Sequence, residues 1–397
     1  MKGCFNILFG SILIVLVGCQ NNSEKLIQTK ISNVDNTILI SQPHKSNNHG
    51  RVVYASQPTI INTEYASDSN TQAEQTSTTD NLKYSSLSDE VALSQLFFEL
   101  SEPTQHFTIN PAKDTLLVCA KGTVIEISAG SLVYKNDKLI SGLIRLQVTE
   151  YLKKTEFLYA SLSTKTNKDR LLESGGTLLL KAYSEKEEVF IAKGKSIQFQ
   201  IPTNTIKENM KLFSGVRDVH GSMKWYTMDT KENKKANRKI INAKKKTKEN
   251  QIVVEEKNLI EAAEAQMPVG ISELHYYIFN TAQLGWINVD RFLHLKGAKG
   301  KFALENMNLE NSKVSIVFKN YDAVLPGFVE NGKVNFEHIP LGEEITIVAI
   351  KVEKGIPMLY IQDVKTERGK FDQPIEFKAI SFADLKEEMK KINRISR

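Results

Sequence analysis

Apolar and polar residues alternate strictly along Ile144-Arg145-Leu146-Gln147-Val148-Thr149, and again along Ser196-Ile197-Gln198-Phe199-Gln200-Ile201. A period of two puts every second side chain on one face, the pattern of a half-buried strand. Val124–Ile127 and residues 178–182 fit as further strands. Lys121-Gly122, Ala129-Gly130, Asn136-Asp137, Ser141-Gly142, Gly175-Gly176 and Lys193-Gly194 separate these runs as turns. Short strands at this spacing predict an antiparallel sandwich. A second β region runs from about 274 to 377, where Val314, Ile316 and Phe318 share one face and Ile345, Ile347 and Ala349 another.

The rest of the chain is read by composition and helical spacing. Ser, Thr, Asn and Gln fill 34 of the 69 positions from 20 to 88, with no sustained apolar period. Such a segment buries too little to offset its ordering entropy, and as a coil it would reach roughly 45 Å. Ser88-Asp89-Glu90 then opens a helical pattern to Leu100, with Val91, Leu96 and Leu100 expected to face inward. At the far end Ser381 caps a helix whose Phe382, Leu385, Met389 and Ile392 form one apolar stripe, expected to pack on the C-terminal sheet. The formal charge is +6, and 231–249 alone holds nine basic and two acidic residues, so the remainder is near −1. A helical pattern lies around 259–265.

The expected fold class is mainly β: two antiparallel β-sandwich domains with a C-terminal helix, preceded by a disordered tether. Its parts are a signal peptide over 1–18, a tether with a short helix over 19–100, and a first β-sandwich over 101–205. A charged linker with a helix follows over 206–270, then a second β domain with the closing helix over 271–397.

Lys2 precedes an apolar run over 7–17, followed by Leu16-Val17-Gly18-Cys19. The run is about half the ~20 residues that span a bilayer. Leu-Val-Gly-Cys resembles the lipobox of bacterial lipoproteins. That resemblance implies lipid on the Cys19 thiol, cleavage after Gly18, and a cell-envelope address at the outer membrane. Several acyl chains hold stably where one does not, at roughly 0.8 kcal/mol per buried CH₂. The only other cysteine after Cys19 is Cys119, in an apolar run that reads as a buried strand with an inert thiol.

Gly122-Thr123-Val124-Ile125-Glu126-Ile127-Ser128-Ala129-Gly130-Ser131-Leu132, with Gly142-Leu143-Ile144-Arg145-Leu146 after it, resembles the β-sandwich of zonula occludens proteins, netrin receptors and ankyrins. Ser128 stands where that pattern carries proline. The span from Pro111-Ala112-Lys113-Asp114-Thr115 to Leu172-Glu173-Ser174-Gly175-Gly176, and Gly285-Trp286-Ile287-Asn288-Val289-Asp290-Arg291-Phe292, resemble uncharacterised Bacteroidota-type envelope lipoproteins. Gly332-Lys333-Val334-Asn335-Phe336-Glu337-His338-Ile339-Pro340-Leu341-Gly342 resembles carboxypeptidase regulatory-like domains, which implies a structural or binding module.

Motifs for chemistry are few. The chain has no His-Glu-x-x-His, Gly-x-Ser-x-Gly, phosphate loop or Cys-x-x-Cys, and its seven histidines lack paired spacing. No catalytic residue, metal or cofactor is expected. Trp286, Asp290 and Arg291 combine residue types common in binding hot spots. The same three also read as a core ring beside an Asp290–Arg291 ion pair, and that structural reading is preferred. Lys244, Lys245 and Lys246 form a candidate contact for an anionic surface, with a solvated linker as the alternative. Without interleaved aromatics this basicity does not point to nucleic acid. The expectation is a non-enzymatic binding or scaffolding lipoprotein with a protein or glycan partner at the envelope. The alternative is an enzyme or accessory protein acting on cell-wall or surface polysaccharide.

Overall fold

The computed structural model describes residues 51–54, 84, 87–219, 221–228, 275–295, 297–371 and 373–393. The first elements are strand β1 (Arg51–Tyr54), helix α1 (Asp89–Leu100), β2 (Gln105–Ile109), β3 (Thr115–Val118), β4 (Val124–Ile127), β5 (Leu132–Val133) and β6 (Ile144–Tyr151). Then come α2 (Lys154–Tyr159), β7 (Leu172–Ser184), β8 (Glu187–Glu188), β9 (Phe190–Ile191), β10 (Ile197–Thr203), β11 (Lys211–Arg217) and β12 (Met223–Thr227). After residues 229–274 follow β13 (His275–Thr281), β14 (Gly285–Phe292), β15 (Lys299–Glu305), β16 (Lys313–Phe318) and β17 (Val324–Gly327). The described chain closes with β18 (Lys333–Pro340), β19 (Glu344–Glu353), β20 (Ile356–Lys365), β21 (Gly369–Phe371), β22 (Lys378–Ala379) and α3 (Phe382–Lys390). The protein is mainly β.

Alternation in the sequence becomes two faces in space. One sheet has the order β1-β3-β4-β10-β13, and a second has β12-β11-β14-β7-β6-β2. Ile197, Phe199 and Ile201 of β10 face Ile144, Leu146 and Val148 of β6 and Leu178, Leu180 and Ala182 of β7 across one apolar core. The far end of β6 is buried on its other face too. Glu150 there accepts from the Lys121 and Thr123 amides at 2.9 and 3.2 Å and from Gln105 Nε2 at 2.8 Å. Its charge is thereby spent on holding the β3–β4 turn. Cys119 sits at that turn with its thiol in the same core, and burial pushes its pKa well up.

A third sheet, β18-β15-β21, and a fourth, β17-β16-β19-β20-β22, enclose a second core. Val314, Ile316, Phe318, Ile345, Ile347 and Ala349 all point into it, as their shared faces predict. Strand pairing is antiparallel except for β1 with β3 and β15 with β21.

The two sandwiches are joined by a third apolar layer. Phe213, Trp225 and Trp286 from the back of the second sheet meet Val317, Val348 and Ile350 from the back of the fourth, with all three helices between them. Leu385, Met389 and Ile392 enter this layer, and Ser381 Oγ accepts from the Asp384 amide at 3.1 Å to cap α3. Helix α1 presents Ala92, Leu93, Leu96, Phe97 and Leu100 to the layer, while Val91, expected inside, is 52% exposed. The one-and-three spacing of the buried set turns Val91 outward. Polar contacts stitch the same seam: Thr164 N and Oγ1 both donate to Val324 O, at 2.8 and 3.0 Å, and Lys154 Nζ donates to Phe318 O at 3.1 Å. The described residues from Arg51 to Asn393 belong to one compact unit.

Strand pairing departs from the expected boundaries in three places. Arg51–Tyr54, within the expected tether, pair in parallel with β3. β11 and β12, within the expected linker, form the edge of the second sheet. β13 and β14, expected in the second β domain, pair with β10 and with β7 and β11. The basic run at 231–249 follows β12 so closely in sequence that its composition masks the short alternating strand before it. The 259–265 pattern lies outside the described residues.

Candidate functional site

β14 carries Trp286, Asp290 and Arg291, and the structure sends them to three different environments. Ile287 and Val289 face the first core, so Trp286 and Asn288 face the opposite way. A register shift between Asn288 and Asp290 sets Val289 against both Gly175 and Gly176, a bulge that bends β7 there. The bend leaves a buried polar pocket. Thr177 Oγ1 and Ser174 Oγ donate to Asn288 Oδ1 at 2.8 and 3.2 Å, and Asn288 Nδ2 donates to Asp290 Oδ2 at 2.6 Å. Asp290 Oδ1 has no partner among the described residues. Burial drives the Asp290 carboxyl well above its usual range, against the opposing hydrogen bond from Asn288.

Arg291 does not pair with Asp290, contrary to the expected ion pair. Its Nε and Nη2 both reach Glu173 Oε2, at 2.7 and 2.6 Å. Glu173 Oε1 takes Lys207 Nζ at 2.7 Å, and the same ammonium takes Asp322 Oδ2 at 2.6 Å. Burial opposes the Lys207 charge, and the Asp322 and Glu173 carboxylates outweigh it and raise its pKa. This chain of charges ties β7 and β14 to the loop before β17.

Trp286 is half-buried and lies on the wall of an open groove of about 940 Å³. Its ring packs on Tyr151 with centroids 5.5 Å apart, and the Arg217 guanidinium stands 5.1 Å from its centroid. Arg217 is fixed by carbonyls: Nη2 donates to Ala160 O at 2.6 Å and Nη1 to Gly221 O at 2.7 Å. Across the groove Lys313 Nζ lies 4.2 Å from the Phe97 centroid. Burial lowers the pKa of both cations, and the charge of Arg217 lowers that of Lys313 further. Phe98 of α1 and Phe328, after β17, stand on the rim, 76% and 68% exposed. One carboxylate lines the groove, Glu310, and it accepts from the Gly332 amide. Glu102 and Glu156, whose charges reach Tyr151, are both held by Lys121 Nζ, at 2.6 and 2.8 Å.

Arg291 borders a second cleft, of about 570 Å³, with Arg170, Lys211, Phe292, His294 and Tyr321. Arg170 Cζ lies over the Phe292 ring, 3.5 Å from its centroid, and Lys211 Nζ is 5.6 Å from the same centroid. With two cations over the Phe292 ring, this cleft is dominated by positive charge.

Of these residues the sequence singled out Trp286, Asp290 and Arg291. It missed Phe97, Tyr151, Arg217 and Lys313, which come from four separate elements and share no spacing that a linear reading can register. Cys19, Lys244, Lys245 and Lys246 lie outside the described residues. Among the described residues no group of three His, Cys, Asp or Glu side chains can hold a metal, and no helix is long and apolar enough to cross a membrane. Comparison with protein-family models, with curated proteins and with solved structures returns no match.

Proposed function

We propose that this chain is an envelope lipoprotein, held by lipid on Cys19, and that its folded part is a non-enzymatic binding module whose contact surface is the Trp286 groove. The observation that carries the binding role is the composition of that groove. Tryptophan, tyrosine, arginine and exposed phenylalanine converge on one concavity, and these residue types supply most of the energy at interfaces. The Leu-Val-Gly-Cys sequence supports the anchor. The alternative is an enzyme or accessory protein acting on cell-wall or surface polysaccharide; its hydrolase form draws less support at this groove, because glycoside hydrolysis uses two facing carboxylates and the groove lining holds one, Glu310.

The test joins anchor and surface. Cells expressing the wild-type chain should incorporate labelled palmitate, and Cys19→Ala should not. A photo-crosslinking residue at position 98 should give a discrete adduct that the same residue at Leu139, exposed on the first sandwich, does not. No adduct at position 98, or the same adducts at both positions, would remove the groove from the proposal. No lipid label on the wild type would remove the anchor.

A further inference from the structure

We propose that the ligand of this groove is an acidic peptide segment of a partner protein, with its carboxylate between Arg217 and Lys313 and an apolar side chain against Phe98. This rests on the groove being the binding surface. Arg217, half-buried, and Lys313, exposed, are cations on one surface, and neither has a carboxylate partner among the described residues. Like charges brought onto one surface repel each other, and an anion bound between them relieves that repulsion. A ligand carboxylate supplies that compensation and gains from the low local dielectric of the aromatic walls.

Two features select a peptide over an acidic saccharide. Phe98 and Phe328 expose large apolar rings beside the cations, which suits an apolar side chain next to an acid. Main-chain carbonyls hold Nη1 and Nη2 of Arg217, so its guanidinium is fixed in place and acts as a fixed field for a carboxylate. The volume also stands at the top of the range for small-molecule pockets, as an extended chain segment requires.

The experiment is selection of a displayed random seven-residue peptide library on the full chain in detergent. Enriched peptides should carry Asp or Glu beside an aromatic or aliphatic residue. Their affinity should fall about tenfold on Lys313→Gln, the size of one charge-assisted hydrogen bond, and should weaken with salt. Lys313→Gln is preferred to an Arg217 variant because Arg217 also holds the Ala160 and Gly221 carbonyls, and unchanged melting confirms the variant is folded. Enrichment of neutral or basic peptides, equal binding by wild type and Lys313→Gln, or no enrichment while oligogalacturonate binds the groove would each overturn the acidic-peptide assignment. In each case the crosslink at position 98 still stands or falls on its own.

Discussion

At the scale of the residue, Asp290 has the environment most unlike water. Its folded pKa is raised by burial, whereas an unfolded aspartate titrates near about 3.9. The folded protein therefore keeps a proton that the unfolded chain releases above roughly pH 4. Stability from this group is complete below that pH and is lost as pH rises toward the folded value. Asp290→Asn keeps the shape and has no proton to lose. Its melting temperature should exceed that of the wild type at pH 8 and converge with it at pH 4. A melting difference that does not change with pH would show that the carboxyl is ionised in the fold. Asp290 and Arg291 looked like a pair in sequence because they are adjacent. Neighbours on a strand face opposite ways, and the register shift beside Asn288 comes from Gly175-Gly176, which the sequence marks as a turn and the structure places as a bulge inside β7. Trp286 was legible as important from size alone, but its placement at a surface was not, since its neighbours Tyr151 and Arg217 lie 135 and 69 positions away in the chain.

At the scale of the element, β11 shows why a strand can hide in a charged stretch. Lys211 and Arg217 bound it, and its middle holds Gly215, which weakens any strand pattern. Gly215 is there because Trp225 and Trp286 flank it. A Cβ at this position would meet the Trp225 ring, and would come within 2.8 Å of Met223 Sδ and Trp286 Cβ. Gly215→Ala should therefore cost about 1–3 kcal/mol by overpacking. Gly142→Ala is the control, since its Cβ would meet only Ser184 Oγ, at 3.8 Å, and its stability should stay within about 0.5 kcal/mol. Denaturant melts of the two variants decide the point, and equal losses would mean that Gly215 is not packed as described. β6 and β10 were legible from their alternation, and β16 and β19 from the one face of each that meets the second core, although their other faces are buried in the third layer.

At the scale of the whole molecule, the sequence implied two separate sandwiches, and the described residues share a third core between them. A layer of that kind cannot be read from one strand, because it forms from the outward faces of two sheets and three helices. Trp225 sits in it, fully buried, with its indole Nε1 donating to Ser163 O. Trp225→Ala should cost roughly 3–5 kcal/mol. If the layer couples the sandwiches, calorimetry should show one unfolding transition in the wild type, and the variant should shift all of it. Two transitions, with only one shifted by Trp225→Ala, would mean that the sandwiches unfold independently.

The turn at Cys119 has a practical consequence for labelling. A chain beginning at Gln20 contains one thiol, and that thiol is buried in the first core with its pKa pushed up. An exposed thiolate is the nucleophile that attacks alkylating reagents, so this buried, protonated sulfur is silent to them. A cysteine placed at Phe98 or Phe328 is then the single reactive handle on the protein. A spin label or fluorophore attached there reports on the groove without any background from the native sequence.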